Sequence, residues 1–166
     1  LATHCGILGF STQKLRRGAE MRSAFGVPFA FGLWTGPDGS TLAAVLDPGE
    51  YGAQASRDLA TDPQWADRFR ALAASDRPDS LMTLQGLGDK GGAIPAAAIE
   101  WLERARAGAG PIDVRLADSE QIFRELTPAE RQRLPVHDGE LLLRLHATGC
   151  YSSRSQLKRR HRQAEQ

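Results

Sequence analysis

The sequence predicts an α/β fold of parallel strands joined by crossover helices. From residue 60 onward, short apolar runs alternate with segments of helical periodicity. Before that, two apolar runs flank Gly36-Pro37-Asp38-Gly39, the signature of a hairpin turn. The 166 residues are 41% hydrophobic and 25% charged, which suits one globular domain.

Taken in order, Ile7 to Phe10 reads as a short buried strand, and the polar, basic residues 11 to 27 as a loop. Phe29 to Trp34 and Thr41 to Leu46 form the arms of the hairpin, and Asp47-Pro48-Gly49 ends the second arm. Asp62 caps a helix with Pro63 at its first position. Trp65, Phe69 and Leu72 recur at helical spacing and form its buried face. Ser80 to Leu87 reads as a strand and Gly88 to Gly92 as a glycine-rich loop. A helix runs from Pro95 to about Ala107, with Ile99 and Leu102 facing inward, and Ile112 to Leu116 is the next strand. Asp118 and Gln121 have capping-box spacing and open a helix that reaches about Leu126. Thr127 to Asp138 is a polar, proline-containing loop, Glu140 to Leu145 a last strand, and Ser153 onward a basic helix. In parallel sheets, functional residues gather at the carboxyl ends of strands. Here those ends lie after Phe10, Leu46, Leu87, Leu116 and Leu145.

Several function classes are disfavoured. No run of 18 apolar residues occurs, so no membrane-spanning helix is expected. Lys and Arg number 21 against 20 acidic residues, a balance that points to neither nucleic acid nor membrane. Cys5 and Cys150 form no C-x-x-C pair, and His4, His137, His146 and His161 have no metal-ligand spacing. No metal ligand is therefore assigned in this chain. Ser11, Ser40 and Ser152 lack a nucleophile elbow. No basic stretch precedes a long apolar one, so no signal peptide is visible and a cytoplasmic location is favoured. The chain opens within an apolar segment and stops within a helical pattern, as a piece of a longer protein would.

Gly86-Leu87-Gly88-Asp89-Lys90-Gly91 fits G-x-G-x-x-G between an expected strand and helix. Its glycines would let backbone N–H groups approach a pyrophosphate, with Asp118 near the ribose position of a dinucleotide-binding oxidoreductase. Asp89 opposes that reading, because its charge would sit beside the phosphates. On a loop free of side-chain bulk, Asp89 could instead serve as a general acid or accept a sugar hydroxyl. It could equally bond its own turn backbone. Arg154, Lys158, Arg159, Arg160, His161 and Arg162 form a basic cluster. The choices there are a phosphate-binding surface, a solvated helix face, or a face that docks a neighbour in a non-catalytic interaction module.

Four blocks resemble the catalytic domain of family 38 glycoside hydrolases, the class II α-mannosidases. Gly6 to Leu15 is similar to its G-I-x-x-F-x-T-Q-K-L stretch, and Phe31 to Ser40 to its W-x-G-x-D-G-S hairpin. Gly86 to Gly92 matches G-x-G-D-x-G-G, and Glu140 to Arg154 resembles E-L-x-L-x-x-H-x-G-x-Y-T-S. The resemblance implies a retaining, metal-dependent α-mannosidase that cleaves α-mannosidic bonds in glycans or oligosaccharides. It implies a partial irregular β/α barrel, the carboxyl-terminal half of a larger catalytic domain over residues 1–152. Residues 153–166 would begin the following helical region.

The same resemblance puts the aspartate nucleophile and the ligands of a divalent metal, usually zinc, outside this chain. The isolated segment would then bind no metal and be inactive. Asp89 takes an acidic position near the substrate, as acid or sugar-binding group; Lys90 stands where some relatives carry a second aspartate that acts as the acid. Tyr51, His146, Tyr151 and Arg154 fall at sugar-pocket or supporting positions. The implied partners are an α-mannoside and the remaining domains of the parent enzyme, with neither nucleic acid nor membrane. Asp38 is read as the organiser of its turn and Trp34 as a core residue. A sheet cut from a barrel would expose an unpaired edge and favour aggregation.

Overall fold

The computed structural model describes residues 2–15, 28–49, 51–73, 80–88, 91–108, 110–141 and 154–165. Four strands are present among them: β1 (Gly9–Ser11), β2 (Phe31–Thr35), β3 (Thr41–Val45) and β4 (Val136–Asp138). The described α-helices are α1 (Pro63–Ala73), α2 (Ala96–Arg106), α3 (Gln121–Arg124), α4 (Pro128–Arg133) and α5 (Ser155–Ala164), and a 3-10 turn spans Thr3–Cys5.

The strands form one mixed sheet in the order β1-β3-β2-β4. At its centre is the expected antiparallel hairpin, with Phe31 opposite Val45 and Thr35 opposite Thr41. Asp38 closes the turn: its Oδ1 accepts from the Ser40 N–H at 3.0 Å and the Ser40 hydroxyl at 2.6 Å. Gly39 has φ +76°, a left-handed conformation that glycine adopts without strain. On the flanks β1 runs parallel to β3, and β4 runs parallel to β2.

Alternation along β2 and β3 divides the core between two faces. Phe31, Leu33, Ala43 and Val45 pack with Leu134 on one face, covered by Met82, Ile122, Phe123 and Leu126. Ala44 and Leu46 pack with Leu15 and Phe29 on the other, beside Phe10, Trp34 and Leu141. Trp34 is half-buried and donates its Nε1–H to the Gly139 carbonyl at 2.7 Å, in keeping with a packing role. A third cluster joins Ala55, Leu59 and Ala60 to Ala98, Leu102 and Ala105 of α2.

The start of α1 follows the sequence reading. Asp62 is 6% exposed, and its Oδ1 accepts from the Gln64 N–H at 3.0 Å. Trp65 and Phe69 are half-buried; the Leu72 side chain lies outside the described part.

Other expectations are corrected. Beyond residue 60 the expected succession of parallel strands is reduced, among the described residues, to β4, which pairs in parallel with β2. Ser80 to Gly88 and Ile112 to Leu116 contain no strand. The 80–88 segment is held instead by the loop after β3: the Leu84 N–H donates to the Pro48 carbonyl at 3.1 Å and the Gly86 N–H to the Ala53 carbonyl at 2.8 Å. Conversely, the stretch read as a polar loop contains α4 and β4. Buried Leu134 anchors it, and the Pro135 carbonyl accepts the Leu33 N–H at 2.8 Å. Glu140 and Leu141 are not in a strand, and residues 142–145 lie outside the described part.

The first strand starts later than expected, at Gly9, where the missing side chain makes room for the Phe123 ring. Ile7 and Leu8 are about half exposed, at 50% and 48%. Ile99 is 47% exposed, because the inward stripe of α2 runs through Ala98, Leu102 and Ala105. Asp118 does not cap α3; it accepts the Glu120 N–H at 2.9 Å one residue before that short helix begins. The capping box lies at Thr127 and Glu130, at the start of α4.

Candidate functional site

Because β1 and β3 are parallel, their carboxyl ends emerge side by side. The Thr12 N–H donates to the Val45 carbonyl at 3.0 Å, continuing the pairing beyond β1. The Thr12 hydroxyl then accepts the Lys14 N–H at 3.1 Å, a local turn of the type threonine favours. Leu15, 4% exposed, pins the end of that turn in the core.

The turn carries Lys14 to the loop that follows β3. Its Nζ lies 4.3 Å from the centroid of the Tyr51 ring, a cation–π contact. Tyr51 is 45% exposed. Its Cδ1–Cε1 side meets Gly88: a Cβ built there would come within 2.5 Å of Tyr51 Cε1. Gly52 also approaches this loop, with a Cβ position 3.2 Å from the Gly88 nitrogen. Gly49, at φ +91°, turns the backbone toward Thr83, whose hydroxyl accepts from the Gln85 amide at 3.0 Å. Arg68 of α1 supports the exit of β3 by donating to the Asp47 carbonyl at 3.0 Å. The segments 12–15, 46–49 with 51–52, and 83–88 thus meet at one end of the sheet.

Of the site residues expected from sequence, Tyr51 and the Gly86–Gly88 part of the loop are brought together here. Asp89, the residue after Gly88, lies outside the described part, as do Lys90, His146 and Tyr151. Arg154 is exposed at the amino end of α5 with φ 53°, and no described contact links it to Tyr51. Lys14 was not among the residues that sequence reasoning singled out for the site. Its signal was its place in the T-Q-K-L block, directly beyond a strand's carboxyl end.

The dinucleotide expectation does not fit. No strand leads into the loop among residues 80–88, and α2 opens at Ala96 after Pro95, so no helix start faces Gly86 to Gly88 within the required tight turn. Asp118 already engages the Glu120 N–H and Arg124, at 2.9 and 3.4 Å. Among the described residues, no three His, Cys, Asp or Glu side chains converge as a metal-binding group. No described helix is long and apolar enough to cross a membrane.

Charge elsewhere serves the fold. The Ser40 hydroxyl, then the Ser40 N–H, then His4 at 3.2 Å, hold the Asp38 carboxyl far below the ordinary carboxylate range. Asp38 lies at the opposite end of β3 from Lys14.

No protein-family model matches the chain. Among curated proteins it is similar to alpha-mannosidase G of Dictyostelium discoideum, with 31% identity over 163 residues. It is also similar to alpha-mannosidase 2C1 of Mus musculus, with 32% identity over 163 residues. Each alignment covers 98% of this chain but only 14% and 15% of the respective relative. The similarity relates nearly the whole chain to a short stretch of α-mannosidases.

Proposed function

We propose that this chain is a segment of the catalytic domain of a retaining α-mannosidase of the family 38 type, and that the site at the ends of β1 and β3 contributes to its mannoside pocket. The observation that carries the reading is the alignment with two α-mannosidases along 98% of the chain. The geometry agrees with it. Lys14, Tyr51 and Gly88 come from three separate blocks of the family resemblance or its neighbourhood, and they meet at one end of the sheet.

On this reading Tyr51 lines the pocket and the loop beyond Gly88 presents Asp89 to the sugar. A retaining glycosidase needs two carboxyl groups about 5–5.5 Å apart, one as nucleophile and one as acid and then base. Asp89 is the carboxyl group this segment offers, as proton donor or as acceptor of a sugar hydroxyl. The nucleophile would come from elsewhere in the longer enzyme. So would the ligands of the metal that the family resemblance implies. The isolated chain would therefore be inactive.

A segment exchange tests the proposal. This chain replaces the matched 163 residues of the mouse enzyme, and hydrolysis of an aryl α-mannoside is followed. The exchanged enzyme should turn over, and Asp89→Asn should lower its kcat by about 10²-fold or more, the usual scale for losing an acid–base group. A soluble, folded exchange enzyme without turnover counts against the reading. So does robust turnover by the isolated chain, which would overturn the expected inactivity.

A further inference from the structure

We infer that Lys14 is a positioning residue of this site: its ammonium group caps one face of the Tyr51 ring, holds the ring against Gly88, and closes that face to a stacking sugar. The inference rests on the mannoside reading only for the identity of the sugar. The clamp itself rests on contacts among three segments.

Three observations converge on it. The Lys14 Nζ is 4.3 Å from the ring centroid, a distance at which a cation is attracted by the π-face. Lys14 is delivered there by a built turn, since its own N–H is held by the Thr12 hydroxyl and the next residue, Leu15, is buried. The ring's Cδ1–Cε1 side occupies the space that any side chain at position 88 would need. Tyr51 therefore cannot shift toward the loop without meeting its backbone, nor lift away without leaving the cation.

Tyrosine rings beside sugars commonly offer an apolar face. Here one face already carries a charged group whose removal would forfeit the cation–π attraction. A mannoside therefore does not stack on that face. The same clamp sets where Gly88 lies. Lysine suits the task because a compact ammonium on a flexible stem reaches a ring face easily. Arginine keeps both the charge and the ability to stack, whereas methionine keeps only the length.

The whole chain, with lysine side chains labelled at Cε, is studied by NMR. Lys14 should show Hε resonances displaced upfield by the ring, and Tyr51→Leu should return them to the exposed position. A Lys14 signal at the exposed position in the wild type overturns the clamp. The Gly88 amide should move in Lys14→Met and stay in place in Lys14→Arg, a rescue that a merely space-filling lysine would not show. An unmoved Gly88 amide in Lys14→Met overturns the positioning role. On adding methyl α-mannoside the upfield signal should persist, and Lys14→Met should bind about two- to fivefold more weakly, the scale of an exposed cation–π contact. Return of the signal to the exposed position would overturn the exclusion of stacking. If the wild type binds no mannoside, the mannoside reading of the isolated segment fails, while the Lys14 and Gly88 signals still decide the clamp.

Discussion

Asp38 illustrates how one side chain can organise a turn through charge. Its Oδ1 accepts both the hydroxyl and the N–H of Ser40, and its Oδ2 lies 3.2 Å from His4 Nε2. These partners favour the ionised form, so the folded-state pKa lies below the ordinary value of 3.8. The sign follows from linkage: a depressed carboxylate adds stability that is complete above its unfolded pKa and disappears as pH falls through the folded one. Thermal melts of the wild type from about pH 5 down to about pH 2 should therefore show a loss of Tm that Asp38→Asn reduces. Equal pH dependence in both proteins would contradict the assignment. Tyr51 and Lys14 make the complementary point, that an exposed ring and a half-buried ammonium group from distant segments meet in a cation–π contact.

At the scale of elements, the short helices depend on their ends. α4 has six residues, well below the length at which a helix sustains itself in water. Its amino end is closed reciprocally: the Thr127 hydroxyl accepts the Glu130 N–H at 3.2 Å, and the Glu130 carboxylate accepts the Thr127 N–H at 2.9 Å. The same contacts hold the Glu130 carboxyl below its usual range, with the Thr127 hydroxyl the largest influence. Thr127→Ala should cost about 1 kcal/mol of folding stability, measured by urea denaturation. It should also weaken β4, because Leu134 and Pro135 connect the two elements. Thr127→Ser, which keeps the acceptor, should be close to neutral. Arg131 reinforces the same junction by donating to the Thr41 carbonyl and hydroxyl, both at 2.9 Å.

For the whole molecule, the sheet is open among the described strands, with β1 and β4 at its edges. Val136 on β4 is exposed, as are Ile7 and Leu8 just before β1. An edge beside exposed apolar side chains invites pairing with another chain. The isolated chain should therefore self-associate, with an apparent mass in light scattering that rises with concentration. A monodisperse monomer at all concentrations would show that these edges are adequately guarded. α5 stands apart in character. Its described residues are all exposed, and Glu165 pairs with Arg162 at 3.0 Å and His161 at 3.2 Å.

The sequence by itself determined the local features. Gly36 to Gly39 with apolar arms specified the hairpin, Asp62-Pro63 specified the start of α1, and periodic apolar residues specified α2, because each signal acts over a few residues. The resemblance to α-mannosidases was legible as well. Tertiary structure alone decided which strands pair. β1 joins β3 and β4 joins β2 across long stretches of chain, and no short-range pattern encodes a partner so distant. It also decided that the apolar run at 80–87 would be a docked loop, its backbone hydrogen bonds taken up by residues 48 and 53, while a polar stretch around Val136 supplied an edge strand. The same long-range packing set Lys14 on the Tyr51 ring. That contact joins residues 37 positions apart, and it exists because two parallel strands end side by side.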